Sequence, residues 1–500
     1  MAPIDFQSPI ESKFDRFSEW ENAMLLPGEK VEANLNMNIH RLILTNHRII
    51  NVGSQNHKNF NISLGLVEKF QVEKNILKIK LRTGSSITIN LDKCENFEKV
   101  FEKALESYIP FNESLLFKNS HCFERKPTDS YYEVLKHEFQ RLKFDPNEWV
   151  ISPKNEKFEF CETYPRYHIV LKEFEEFIQD LSNFRRKQRF LSVVYHNSEN
   201  KSVIIRCSQP MIGESKNRSI IEESYLKRVC ALSNSDTNKL LIFDARPSAD
   251  AIRNLKNGGG SENNGFYDMG KHEFLNIINM FQVKDIFTEF IDCCESEKSD
   301  IALKNSKWIQ SISHILYNSI KIAKCIKIDR SSVLIHCTDG WDRTPQLTAL
   351  AKLIMDPFYR SLHGFQILVE QEWRQMGHKF EQRCAFWPQE ITREFSPVFL
   401  QWLDCIFQIV SKFPNQFQFN SKYLHQLFFC INDGVNENFQ FNSMKERIEN
   451  QKEIFDVWTY LSQSDMKHLQ NTNFNPSTEI VEIDYSVKNL LIWKEIYIMQ

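Results

Sequence analysis

The chain lacks several things, and each absence narrows what it can be. Twelve cysteines are scattered through 500 residues without a C-x-x-C pair, and the neighbours Cys293 and Cys294 do not supply one. Such usage argues against a zinc site or a disulfide framework and fits a reducing compartment. No stretch approaches the roughly 18 apolar residues that a membrane span needs. The opening MAPIDFQSPIESKFDRF has no apolar core of the signal-peptide kind. A cytosolic protein that touches membranes only peripherally is the expectation. A formal net charge of -3 provides no global attraction to nucleic acid, so any anion site must come from a local basic pocket. Internal repeats and low-complexity blocks are missing too. One short glycine-rich run, NGGGSENNG at 257–265, is of the type that commonly forms a flexible loop.

What is present suffices for two domains. The length exceeds the roughly 250 to 300 residues at which one core stops growing, and 42% apolar with 25% charged residues is a globular composition. Between about residues 30 and 91 apolar residues alternate: Leu42 and Leu44, then Leu77, Ile79 and Leu81, then Ile87, Ile89 and Leu91 beyond a Thr83-Gly84-Ser85-Ser86 turn. Period two means short strands and hairpins. The spacing then becomes helical at Phe97, Val100, Phe101, Ala104, Leu105 and Tyr108. Strands capped by one amphipathic helix make a small β-rich domain, expected over 1–110. Residues 111–130 have no periodicity and read as a linker. Over 131–500, strand-like runs at Phe190 to Tyr195, Ser202 to Arg206 and Leu240 to Phe243 alternate with helical patterns such as Trp308, Ile312, Ile315, Leu316 and Ala323. That alternation predicts a larger α/β domain. A last helix is expected from Lys445, carrying Ile448, Ile454, Val457, Trp458 and Leu461, too short for a coiled coil.

The stretch VLIHCTDGWDRT at 333–344 raises the question of function. A lone cysteine after an apolar strand is ordinarily an inert core residue. Here the context is different. Ser332 to Ile335 form a strand, Thr344 and Pro345 look like N-cap and first helical position, and Leu347, Leu350, Ala351 and Ile354 repeat at amphipathic helical spacing. The loop between strand and helix therefore faces unpaired backbone N–H groups and the positive end of a helix dipole, a site for phosphate. The same field favours a thiolate at Cys337. Gly340 lets backbone amides turn inward, and Arg343 offers a planar fork for two phosphate oxygens, which a lysine could not. Nucleophilic phosphoryl transfer through a phosphocysteine follows, with Asp339 and Asp342 both inside the loop as candidate acids for the leaving alkoxide. Two further clusters are basic. Lys379 and Arg383, four residues apart, would share one helix face and suit a second phosphate. FRRKQR at 184–189 reads either as a solvated loop or as a surface for anionic lipid.

HCTDGWDRT resembles the active-site loop of the myotubularin family, and FDARP at 243–247, CETYPR at 161–166, RCSQP at 206–210, GFQILVEQEW at 364–373, GHKFEQR at 377–383 and PVFLQWLDC at 397–405 look like further family blocks in family order. The resemblance implies an α/β cysteine-dependent phosphatase domain, protein-tyrosine-phosphatase-like, preceded by a β-rich PH-GRAM domain. It implies removal of the 3-phosphate from phosphatidylinositol 3-phosphate and 3,5-bisphosphate. By the same resemblance Cys337 is the nucleophile, Arg343 the phosphate clamp and Asp342 the general acid, with Asp339 the runner-up. Thr338, Asp339, Gly340, Trp341 and Asp342 would line the 3-phosphate and inositol. Asn254, Asn279 and Met280 would add substrate contacts, and Lys379 with Arg383 would read the 5-phosphate. Thr338 stands where the family usually has serine, which keeps the hydroxyl. No metal or other cofactor is implied.

The implied partner is a phosphoinositide in endosomal or other internal membranes, not nucleic acid. A homodimer or a heterodimer with another myotubularin-like protein is a family habit that the missing coiled coil leaves unsupported here. FYVE cysteine spacing is likewise missing. Two competing functions share these features: a protein tyrosine or dual-specificity phosphatase, with the same thiol and guanidinium chemistry, and a catalytically silent phosphoinositide-binding adaptor, which the intact Cys337 and Arg343 disfavour.

Overall fold

The computed structural model describes residues 29–498, with breaks at 37–39, 54–59, 82–85, 92–96, 107, 109–130, 234–239, 263–264, 297, 385–393, 433–438, 451–455 and 463. The expected linker, 111–130, thus lies wholly outside the described residues.

Two apolar cores form. The first belongs to the alternating N-terminal segment. Strands β1 (Val31–Asn36), β2 (His40–Thr45), β3 (Arg48–Gly53) and β4 (Phe60–Ser63) make one antiparallel meander, and β5 (Val67–Glu73), β6 (Ile76–Leu81) and β7 (Ser86–Asn90) make a second sheet. The period-two residues Leu42, Leu44, Leu77, Ile79, Ile87 and Ile89 all point inward. Phe97, Phe101 and Ala104 of helix α1 (Phe97–Glu106) close that core.

The second core is built on a seven-stranded sheet from β8 (Trp149–Ser152), β9 (His168–Leu171), β10 (Ser192–His196), β11 (Val203–Cys207), β12 (Leu240–Asp244), β13 (Gly270–Phe274) and β14 (Val333–His336), in the order 13-12-14-11-10-9-8. The pairs 13/12, 12/14 and 14/11 are parallel and the rest antiparallel. β14, buried at all four residues, runs between β11 and β12, and His336 aligns with Cys207 on one side and Asp244 on the other. Three parallel strands thus end level with one another just before Cys337, Ser208 and Ala245. The carboxyl edge of such a sheet is where ligands of α/β proteins bind.

Helices α2 (Ile220–Leu232), α3 (Ser248–Leu255), α4 (Met280–Glu295), α5 (Lys307–Lys327), α6 (Arg343–Met355), α7 (Phe380–Cys384) and α8 (Val398–Lys412) surround the sheet. Two sequence expectations change. Helix α6 is not amphipathic: every residue from Arg343 to Met355 is buried, because α5 and α8 pack against it as well as the sheet. Its N-cap position is Asp342 rather than Thr344, since the helix begins as soon as the loop has turned. The helix expected from Lys445 is two short ones, Met444–Glu449 with C-cap Asn450 and Val457–Leu461 with N-cap Asp456. Beyond them the chain runs back as an irregular strap whose Trp493 is fully buried and stacks on Phe407. Among the described residues no helix is long and apolar enough to cross a membrane.

Candidate active site

The loop from Cys337 to Asp342 leaves the central strand, turns at Gly340 and enters α6. Gly340 has φ +76, and a Cβ there would sit 2.4 Å from the Cys207 carbonyl oxygen, so only glycine fits both the turn and the neighbouring strand. That turn points the Gly340 N–H at Cys337 Sγ, 3.2 Å away, and the loop then runs into a thirteen-residue helix. Cys337 is 3% exposed. Arg343 folds back over the loop: Nη2 donates to Thr338 Oγ1 at 3.2 Å, while Nη1 donates to the Ile277 carbonyl at 3.3 Å and to Asp250 Oδ2 at 3.4 Å. A thiol, an inward amide and a guanidinium therefore lie on one short loop at a helix N-terminus.

The loop is gripped from beneath by three buried arginines. Arg206 donates to the Gly340 carbonyl at 2.7 Å and pairs with Glu372 Oε2 at 2.7 Å. Arg189 reaches the carbonyls of Gly340 at 3.3 Å and Met376 at 2.6 Å. Arg246 pairs with Asp244 and holds Gln209, whose backbone N–H donates to the Thr338 carbonyl at 3.1 Å. His336 lies behind the nucleophile, with Nε2 2.8 Å from Glu262 and Nδ1 3.2 Å from the Cys337 carbonyl. Burial alone would raise the Glu262 carboxyl, but His336 and Arg185 hold it well below the ordinary range. Asp244, His272 and His336 bring ligand-type atoms within 4.8 Å of one another, but Asp244 is spent on Arg246 and His336 on Glu262.

Both loop carboxylates are paired. Asp342 accepts from Arg383 Nη2 at 2.9 Å and Nε at 3.1 Å, and its Oδ1 lies 3.2 Å from His378 Nδ1. Burial pushes its carboxyl up, yet Arg383 and His378 outweigh that and hold it well below the usual carboxylate range. This pairing explains why Asp342 makes no capping hydrogen bond to α6. Asp339 accepts from Arg186 Nε at 2.8 Å. Trp341, 5% exposed, has Lys187 Nζ 4.2 Å and Lys379 Nζ 4.9 Å from its ring centroid.

Residues 114–448 match the family model described as the myotubularin-like phosphatase domain. The chain belongs to the myotubularin family. It is 31% identical over 414 residues to myotubularin of Xenopus laevis, covering 80% of this chain and 68% of that one. It is 32% identical over 369 residues to myotubularin of Rattus norvegicus, covering 72% and 61%. Against phosphatidylinositol-3,5-bisphosphate 3-phosphatase MTMR2 of Mus musculus it is 31% identical over 417 residues, covering 80% and 63%.

Five of the six further blocks meet at or beneath this loop, each for a physical reason, while PVFLQWLDC forms the start of α8, packed on α6. RCSQP brings Arg206 and Gln209, FDARP brings Asp244 and Arg246, and GFQILVEQEW brings Glu372 on a π-helical turn, Glu370–Gln375. CETYPR and GHKFEQR meet where Thr163 accepts from Arg189 and Gly377, at φ +75, passes against the Thr163 carbonyl. The remaining predicted residues gather less tightly. Met280 begins α4, and Asn279 caps it, accepting from the N–H groups of Phe281 and Gln282. Both follow Ile277, whose carbonyl Arg343 holds. Asn254 sits half-buried in α3 four residues after Asp250, the other partner of Arg343. Lys379 and Arg383 do reach one loop, but through different neighbours, Trp341 and Asp342.

Sequence reasoning read Arg185, Arg186 and Lys187 as part of a solvated loop or a lipid-facing surface, and it missed Asp250 and Glu262. The glycine run, expected to be flexible, is instead packed: Gly259 leaves no room for a Cβ beside Gln209, and Gly260 accepts from Arg246. Its Glu262 is fully enclosed, taking Arg185 at 2.9 Å. The only available signal was charge, and charge does not say which way a side chain turns.

Proposed function

We propose that the protein is a phosphoinositide 3-phosphatase acting on phosphatidylinositol 3-phosphate and 3,5-bisphosphate at the surface of internal membranes, through a phosphocysteine. The observation that carries the reading is the convergence of Cys337 Sγ, the Gly340 N–H at 3.2 Å, the α6 N-terminus and Arg343 in one loop. Sulfur attacks phosphorus, the S–P bond forms and the P–O bond to the inositol breaks. Loop amides and Arg343 hold the equatorial oxygens. A proton from Asp342 neutralises the leaving alkoxide, and water then displaces phosphate from sulfur, returning a proton to the carboxylate. Arg343 exchanges its long contacts to Asp250 and Ile277, 3.4 and 3.3 Å, for shorter bonds to phosphate oxygens. The identity to a relative named as a 3,5-bisphosphate 3-phosphatase supports the lipid class over phosphotyrosine.

The test is phosphate release from a panel of phosphoinositides and a phosphotyrosine peptide. Wild type releases phosphate from the two 3-phosphorylated lipids. Cys337→Ser lowers that rate by at least about 10³-fold, since no covalent intermediate forms, while keeping the same thermal transition. Equal release by the variant, or preference for the peptide, ends the proposal.

A further inference from the structure

Glu262 takes no part in the chemistry above, yet its side chain is fully enclosed. The packed glycine run delivers it there: Gly258 turns at φ +78, and the Gly259 backbone lies so close to Gln209 that no Cβ would fit. The carboxylate then divides its two oxygens. Oε1 accepts from Arg185 Nη1 at 2.9 Å, and Oε2 lies 2.8 Å from His336 Nε2. The other ring nitrogen, Nδ1, lies 3.2 Å from the Cys337 carbonyl oxygen. Burial opposes ionisation of Glu262, but His336 and Arg185 outweigh it. An ionised carboxylate and a carbonyl only accept hydrogen bonds, so both nitrogens of His336 have to donate. That describes an imidazolium ion and neither of the neutral tautomers.

The surrounding charges agree. Asp244 of β12 and Cys207 of β11 flank His336 in the sheet, and Arg246 pairs with Asp244. Arg185 bridges Glu262 to Glu222 of α2, and His272 of β13 brings Nε2 to 4.0 Å from Glu262. Burial pushes the Cys207 thiol up and His272 down, so both are neutral. The carboxylates of Asp244, Glu222 and Glu262 thus share one buried space with the guanidinium groups of Arg185 and Arg246. A charged His336 makes anions and cations equal in number. A neutral one leaves a buried carboxylate without a counterion, which a protein interior tolerates poorly.

We propose that Glu262 is a positioning residue for Cys337: it holds His336 as an imidazolium ion, which anchors the Cys337 carbonyl and puts a positive charge behind the nucleophile. The inference rests on the reading of Cys337 given above and adds a support for its reactivity from inside the fold. Glu262 acts only through His336. The hydrogen bond fixes the backbone of the residue that carries the sulfur, and the charge favours a thiolate there over a thiol.

The test uses the full chain. Nitrogen-15 spectra of histidine-labelled wild type show both ring nitrogens of His336 protonated at pH 7, the signal being assigned by its loss in His336→Asn. Alkylation by iodoacetamide is followed at Cys337 by peptide mass spectrometry. Glu262→Gln keeps the shape and an acceptor oxygen but removes the charge, and it slows alkylation at least about tenfold at pH 6.5. The deficit closes at pH 9.5, where thiols of the ordinary range are ionised. His336→Asn slows the reaction to a similar degree, and the double variant is no slower than either single one. A neutral His336 in wild type overturns the inference, and that measurement stands even where Glu262→Gln does not fold. So does a deficit that persists unchanged at pH 9.5, which is what loosened packing alone would give. No arm measures phosphate release, so a wild type that hydrolyses no phosphoinositide ends the phosphatase reading and leaves this one to its own data.

Discussion

At the scale of single residues, most charges of the site are held by a neighbour. Asp342 shows this most directly. Arg383 and His378 keep it ionised, and an acid that donates to the leaving group has to be protonated. The limb on which activity falls with rising pH therefore sits on the acid side for wild type. Arg383→Ala removes the larger stabiliser of the carboxylate, so the limb moves to higher pH, even as the rate at the optimum drops roughly tenfold or more. A kcat profile against pH for both proteins checks this; a limb that stays in place assigns the proton to another group. The sign for stability runs the opposite way to a raised carboxyl: the Asp342 contribution is present above the ordinary carboxylate range and is lost as pH falls through its depressed value.

At the scale of elements, catalytic geometry depends on how one strand, one turn and one helix join. β14 is held between β11 and β12 in parallel register, so the turn at Gly340 passes against the Cys207 carbonyl at the end of β11. Gly340→Ala brings a methyl to 2.4 Å from that oxygen in a backbone region that alanine avoids. The loop has to shift, taking the amide away from Cys337. The expected outcome is at least about a hundredfold loss of phosphate release with destabilisation of about 1 to 3 kcal/mol, read from activity and denaturant midpoint together. The arginines beneath the loop serve the same junction. They are fully buried, Arg206 and Arg246 paired with Glu372 and Asp244 and Arg189 held by carbonyls, and together with backbone N–H groups they hold the loop carbonyls in place.

At the scale of the whole molecule, distant parts of the chain complete one core. The strap after residue 464 brings Tyr497 to Asp404 on α8, a 2.6 Å bond, with Trp308 of α5 donating to Tyr497 at 3.1 Å. Burial pushes the Asp404 carboxyl up to about 6, only partly offset by hydrogen bonds from Tyr497 and Gln408. A raised folded value means that this group's stabilising contribution is complete below the ordinary carboxylate range and is lost as pH rises through about 6. Asp404→Asn carries no such term. Between about pH 4 and about pH 7.5 its stability relative to wild type improves by up to about 3 kcal/mol, measurable by chemical denaturation at the two pH values. An unvarying difference removes Asp404 from the account.

What the sequence by itself determined is local and periodic. Alternation at Leu77, Ile79 and Leu81 means a strand wherever it is placed, and C-T-D-G-W-D-R between an apolar run and a helix puts a thiol, a turn glycine and a guanidinium on one short loop at a helix N-terminus, because all of them lie within seven residues. Which charges face that loop was decided by the tertiary structure. Arg206, Arg246, Lys187 and Glu262 lie far from Cys337 along the chain and become its surroundings only through strand order and two strained turns. A linear pattern records spacing along one segment. The direction of a buried guanidinium depends on which carboxylates the fold brings beside it, and that is a property of packing.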